Sequence, residues 1–185
     1  MKLFNIILII FITLTNGIKA DSENQILENL KTGGKLIFIR HAYAPGNGDP
    51  DNFNITDCNT QRNLNYKGKE QAKKIGKFFK ENEIIIDKIL TSEWCRCKET
   101  AKLAFGEFSI KSFLNSFYSF KFAKNKTKQM KDLKRYVKIS KSKNNLIFVT
   151  HYVVISEILD YAPSSGEIVI SDQNLKKIGS IKINY

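Results

Sequence analysis

The chain has two histidines, and each ends a near-identical apolar run: Leu36-Ile37-Phe38-Ile39-Arg40-His41 and Leu146-Ile147-Phe148-Val149-Thr150-His151. A third run, Ile89-Leu90-Thr91-Ser92, leads into a segment that carries Arg96, with Thr100 four residues further on. Imidazole is a nucleophile that is largely neutral near pH 7, and a guanidinium grips phosphoryl oxygens as a two-pronged donor. Two imidazoles with Arg40 and Arg96, and little acid beside them, suit a phosphoryl group. Taken singly, each residue has a plainer reading as a structural histidine or a surface arginine. Together, that reading must put every histidine of the chain and two arginines at the ends of three similar runs by accident.

The elements that would position these residues follow from periodicity. Short continuous apolar runs at 35–40, 84–90 and 146–150 read as buried strands, and ligands of an open parallel sheet bind outside the carboxyl ends of such strands. Between them, Lys67 to Glu81 places Ala72, Ile75, Phe78 and Phe79 on one helical face, and Trp94 to Phe105 reads as a second helix with Arg96 on its second turn. A short amphipathic helix around Asn24 to Leu30 precedes the first strand, with Gly33-Gly34 as its stop. The alternation predicts an α/β fold with a mostly parallel sheet covered by helices, and 167–171 and 180–185 can add antiparallel edge strands. Two regions break the pattern. Residues 42–61 form a loop rich in Gly, Pro, Asn and Asp, and loops of that length are functional or disordered. Residues 108–143 hold an aromatic cluster, Phe113, Phe117, Tyr118, Phe120 and Phe122, before a lysine-rich helix, which reads either as local core or as a cap facing substrate.

The first twenty residues read as an address: Lys2, an apolar run from Leu3 to Leu14, then Ile18-Lys19-Ala20 before Asp21. That is the layout of a secretory signal peptide. A membrane span needs roughly 20 apolar residues, and this run is interrupted by Asn5, Thr13, Thr15, Asn16 and Gly17. Cleavage after Ala20 is expected, leaving residues 21–185 as one domain in the periplasm or secreted, with no stable membrane insertion. Lys2 and Lys19 are the only charges before Asp21, so cleavage takes the net charge from +12 to +10. This field favours an anionic ligand, but the lysines are dispersed and no nucleic-acid motif is present, so nucleic acid is not expected as a partner. Of three cysteines, Cys95 and Cys97 lie two apart on a helix and point to different faces. Cys95 falls with Lys98, Glu99 and Lys102 on the polar side, which favours a Cys58–Cys95 bridge in an oxidising compartment and leaves Cys97 a buried thiol. Zinc is the alternative, and the spacing suits it poorly.

The Arg40-His41-Ala42 turn resembles the Arg-His-Gly signature of the histidine phosphatase superfamily, the phosphoglycerate-mutase-like proteins, with alanine in place of glycine. Arg62-Asn63-Leu64, Gly68 and Gln71-Ala72 resemble the segment leading into that family's first helix. Ser92 through Arg96 to Thr100-Ala101 resembles its second arginine motif, and Thr150-His151 its second histidine. The resemblance runs from about Lys35 to Tyr161. It implies a three-layer αβα sandwich, a phosphohistidine intermediate on His41, and a phosphate pocket of Arg40, Arg96 and His151, with no cofactor and no metal. The family's acid stands either after the second-arginine helix or directly after the second histidine, where this chain has Leu114-Asn115-Ser116 and Tyr152. Glu107, Asp49, Asp51 and Asp57 are the remaining candidates. The resemblance thus implies a metal-independent phosphomonoesterase, and the export signal points to a small-molecule, sugar or glycan phosphate outside the cytoplasm as its substrate. The alternatives are a phosphohistidine phosphatase and an exported pseudophosphatase that binds anions without turnover.

Overall fold

A computed structural model describes residues 24–140 and 142–185; the expected signal peptide, 1–20, lies outside the described residues. Helix α1 (24–31) precedes β1 (Leu36–Arg40), and α2 (Tyr66–Glu81), β2 (Ile86–Thr91) and α3 (Cys95–Phe105) follow. The chain continues through β3 (Ser109–Ile110), α4 (Phe120–Ala123), α5 (Lys126–Ile139), β4 (Asn145–Thr150), α6 (Tyr152–Leu159), β5 (Ile168–Ser171) and β6 (Lys177–Ile181). The sheet order is β3-β2-β4-β1-β5-β6. The β1–β4, β2–β4 and β2–β3 pairs are parallel, and β5 and β6 add antiparallel edges.

The strand sequences are continuously apolar because helices cover both faces of the sheet. In β1, Leu36 and Phe38 enter one core with Leu133 and Val137 of α5 and Val154 and Ile155 of α6. The alternate residues Ile37 and Ile39 enter the other, with Leu30 of α1, Ile75 and Phe79 of α2 and Ala101 of α3. β4 repeats the division in register, Leu36 opposite Leu146 and Phe38 opposite Phe148, and the two phenylalanine rings stack at 4.8 Å. Parallel pairing of β1, β2 and β4 brings their carboxyl ends to one edge.

Two details depart from the sequence reading, and two bear on alternatives it left open. The last strand is 177–181 rather than 180–185, because the C-terminal residues lie along α2: Gln71 donates to the Ile183 carbonyl, and Tyr185 stacks on Tyr43 at 4.3 Å. β3 was not expected; two residues carry no usable period. The aromatic segment is divided, with Phe117 in the core and Phe120 fully out in solvent. The 42–61 loop is ordered, tied down by contacts described below.

Candidate active site

β1 delivers Arg40 and His41, β4 delivers His151, and β2 runs through Ser92 into α3. Because α3 begins at Cys95, Arg96 is its second residue and not on its second turn; Trp94 caps the helix in extended conformation. α3 and α6 both start at this edge, and helix amino termini favour anions. A cavity of about 430 Å³ lies over it, lined by Arg40, His41, Asp49, Arg62, Arg96 and His151 and by the aromatic rings of Phe53, Trp94, Tyr118, Phe122 and Tyr152.

His41 is 2 % exposed. Its Nδ1 lies 2.9 Å from the Ala42 carbonyl oxygen, which can only accept, and its Nε2 lies 3.2 Å from Arg96 Nε, which can only donate. Both neighbours select one tautomer, with the proton on Nδ1 and the lone pair on Nε2. Burial pushes the imidazole well below its ordinary pKa, and the Arg96 charge adds to the effect. The ring is therefore neutral at neutral pH. His151 is held neutral by the same two causes in the same order. Its Nε2 lies 2.9 Å from Ser92 Oγ and 3.5 Å from Cys97 Sγ. Burial raises the Cys97 thiol to about 12, so it stays protonated.

Arg96 is the hub of the site. Besides His41 it reaches Asp49 with both terminal nitrogens, at 2.6 and 3.2 Å, and the Arg62 carbonyl at 3.2 Å. Arg40 donates to the Pro163 carbonyl at 2.9 Å and lies 5.5 Å over the Tyr152 ring, while its buried Nε has no partner among the described residues. Arg62 is held by the carbonyls of Gly48 and Ala44, and burial followed by the Arg96 charge lowers it to about 10. This third guanidinium entered the sequence reading only as part of the segment before α2. A signal for it existed: the chain has four arginines among 30 basic residues, and three of them line this cavity.

Of the candidate acids, Asp49 and Asp51 line the cavity, whereas Glu107 and Asp57 do not. Glu107 follows α3 at the end opposite Arg96, an eleven-residue helix away, roughly 16 Å at 1.5 Å per residue. Asp57 is occupied as the cap of the short 3-10 turn Cys58–Thr60, accepting from the Asn59 N–H. Burial pushes the Asp49 carboxyl up, but the Arg96 hydrogen bonds and charge, the Trp94 indole N–H at 3.0 Å and the Arg62 backbone N–H outweigh it and hold it ionised. Asn115, where the family's acid was sought, accepts from Ser92 Oγ at 3.1 Å and from the Glu93 N–H at 2.9 Å.

Cys58 is joined to Cys95, and Cys97 is a buried free thiol. Cys95 is nevertheless 6 % exposed and not on an open polar face. The loop covers it, with Gln61 Oε1 accepting the Cys95 N–H at 2.9 Å. A helical wheel could not register that cover, because it comes from residues more than thirty positions away.

The sequence model of the histidine phosphatase superfamily (branch 1) matches residues 36–114. No curated protein matches the chain. Solved structures do. The alpha-ribazole phosphatase of Shigella flexneri is 14% identical, with 81% of this chain and 95% of that one aligned at a TM-score of 0.60. The phosphoglycerate mutase of Thermus thermophilus is 14% identical, with 81% and 99% aligned at 0.57. The protein histidine phosphatase SixA, solved in complex with tungstate, is 12% identical, with 82% and 94% aligned at 0.51. At these identities the structures speak for the fold, and the sequence match covers the segment that holds His41 and Arg96. Residues 36–114 match the histidine phosphatase superfamily in sequence, and the chain shares the α/β fold of these solved structures.

Proposed function

We propose that the protein is a metal-independent phosphomonoesterase that forms a phosphohistidine on His41. The observation that carries this reading is the Ala42 carbonyl on His41 Nδ1, which leaves the Nε2 lone pair as the nucleophile beside three guanidiniums. Arg96 Nε–H holds that lone pair in the free protein; an entering phosphoryl group draws the guanidinium onto its oxygens. Nε2 then attacks phosphorus in line, while Arg40, Arg62, Arg96 and His151 stabilise the equatorial oxygens as charge redistributes. Water hydrolyses the phosphohistidine. A cavity of about 430 Å³ with aromatic walls suits a small or sugar phosphate ester, which it can enclose, better than a phosphohistidine carried on a protein surface. Tungstate, bound by one structural relative, is a tetrahedral oxyanion. Rapid quenching with labelled substrate should trap a phosphoryl group stable in alkali, labile in acid, and located on His41. Turnover that requires an added divalent metal, or no label in protein that does turn over, would overturn the mechanism; no turnover on any of a panel of esters would leave the anion-binding pseudophosphatase.

The site is proposed to work outside the cytoplasm. Support comes from the layout of residues 1–20 and from the Cys58–Cys95 bridge, since such bridges persist in oxidising compartments. Mass measurement of protein from its native compartment should find a chain starting at or near Asp21, and a dominant full-length cytoplasmic form would exclude export.

A further inference from the structure

We propose that Asp49 is the proton donor and acceptor of the phosphoryl transfer, held on Arg96 in the free protein and exchanged off it when a phosphate ester enters. The inference rests on the phosphatase reading above. Among the described residues, two carboxyl groups line the cavity; Asp51 is exposed, whereas Asp49 is half-buried. One guanidinium joins Asp49 to the nucleophile: Arg96 Nε faces His41 Nε2 at 3.2 Å, and its two terminal nitrogens face the two carboxylate oxygens at 2.6 and 3.2 Å. The carboxylate thus lies within the span of one planar group from the atom that attacks phosphorus.

A phosphate dianion brought to His41 competes with Asp49 for that same fork. When it takes Arg96, the carboxyl group still has the Trp94 indole N–H and the Arg62 backbone N–H, each at 3.0 Å, to keep it at the cavity wall. Gly48 precedes it with φ +65, a conformation that glycine adopts freely, and its carbonyl accepts from Arg62 Nε at 2.7 Å. The exchange also moves the carboxyl's pKa upward, although the Trp94 and Arg62 hydrogen bonds continue to pull it down. Burial, the largest influence on Asp49, acts upward, and the downward pull of the Arg96 hydrogen bonds and charge is what the phosphate removes. A second anion alongside pushes in the same upward direction. The carboxyl therefore takes up a proton, from solvent or from a monoanionic ester, at the moment a donor is needed.

The steps balance. Nε2 of His41 forms the N–P bond as the ester P–O bond breaks, and the Asp49 proton passes to the leaving oxygen, so the product is a neutral alcohol. The Asp49 carboxylate next accepts a proton from water as that oxygen attacks phosphorus; the N–P bond breaks and the lone pair returns to His41. Phosphate leaves, Asp49 releases the proton to solvent and returns to Arg96. Asn115 cannot substitute, because an amide has no proton to give at these pH values and its oxygen is already engaged with Ser92 and Glu93.

The test compares wild type and Asp49→Asn on an alkyl phosphate and on a nitrophenyl phosphate, whose leaving group needs no proton. The asparagine keeps one acceptor oxygen, for either the Trp94 indole or the Arg62 backbone N–H, which face different oxygens of the carboxylate. The variant should still label His41 from the nitrophenyl ester at a rate within several-fold of wild type, and the label should persist longer, because hydrolysis of the phosphohistidine has lost its proton acceptor. From the alkyl ester the labelling rate should fall about 10² to 10⁴-fold, the usual contribution of a general acid. The wild-type labelling rate from the alkyl ester should fall as pH rises through the titration of bound-state Asp49, and that limb should vanish in the variant. Equal losses of labelling rate from both esters, or an alkaline limb that survives the substitution, would show that Asp49 only positions Arg96. A wild-type labelling rate independent of leaving-group pKa, becoming steeply dependent in the variant, is a second reading that does not compare absolute rates. If wild type labels His41 and the variant is unselective, this assignment alone falls; if wild type never labels, the phosphatase reading falls and takes the assignment with it.

Discussion

His41 and His151 share burial and neutrality but not partners, and variants should separate them. His41 has a backbone acceptor that fixes its tautomer and a lone pair turned to Arg96, whereas His151 faces the Ser92 hydroxyl. His41→Ala should abolish turnover and keep part of the phosphate affinity, measured by equilibrium binding, because Arg40, Arg62, Arg96 and His151 remain. His151→Ala should leave a slow enzyme, since removal of one stabilising donor costs about 10² to 10³ in rate. Arg96→Lys keeps the charge but loses the fork that spans Asp49 and reaches His41, so kcat/KM should fall by a similar factor or more. An Arg96→Lys protein with wild-type kinetics would remove Arg96 from the centre of the site.

Two pairs of elements govern whether that site is assembled. Helices α2 and α3 are in close contact at Gly76, where an added Cβ would overlap the Ala104 carbonyl. Both partners are backbone and cannot step aside, so Gly76→Ala should push the helices apart and cost about 1–3 kcal/mol in denaturant unfolding, as overpacking does. The second pair is the 42–61 loop and α3, stapled by Cys58–Cys95 and by Asp49 on Arg96. The bridge spans 37 residues, for which the chain-entropy account gives about 3–4 kcal/mol. Cys58→Ala with Cys95→Ala should lower stability by about that amount. It should also reduce activity, because the loop then holds Asp49 and Arg62 through non-covalent contacts alone. A double variant with unchanged kinetics would mean that the Arg96 ion pair suffices to order the loop.

For the molecule as a whole, the buried site sets the response to acid. His41 and His151 are depressed well below 6.5 in the folded state, whereas the unfolded chain takes up protons near that value. Stability from both groups is present above about 6.5 and is lost as pH falls from there towards their folded pKa values, by up to about 1.4 kcal/mol per pH unit for each histidine. Asp49 and Glu167, also depressed, act in the same direction at lower pH. Denaturant midpoints should therefore drop between pH 7.5 and 5, and His41→Gln should flatten the slope. A midpoint independent of pH in that range would mean that the histidines are not held neutral.

Much of this arrangement was legible in the order of residues. Apolar runs without alternation announce strands covered on both faces, and the ends of three such runs carry Arg40 and His41, Ser92 ahead of Arg96, and His151; a parallel sheet has no choice but to gather them. Asp49 and Arg62 were not legible in that way. They sit in a loop whose composition has no period, and their position depends on partners distant in the chain: Arg96, Trp94 and the carbonyls of Ala44 and Gly48. Four acids were equally available in one dimension; in three, Glu107 lies beyond the far end of α3, Asp57 caps a turn, Asp51 is open to solvent, and Asp49 lies on the guanidinium that faces the nucleophile. Periodic burial is a local property and can be read from the residues in order. The ionisation and tautomer of a buried group depend on everything packed around it, and folding alone assembles that surrounding.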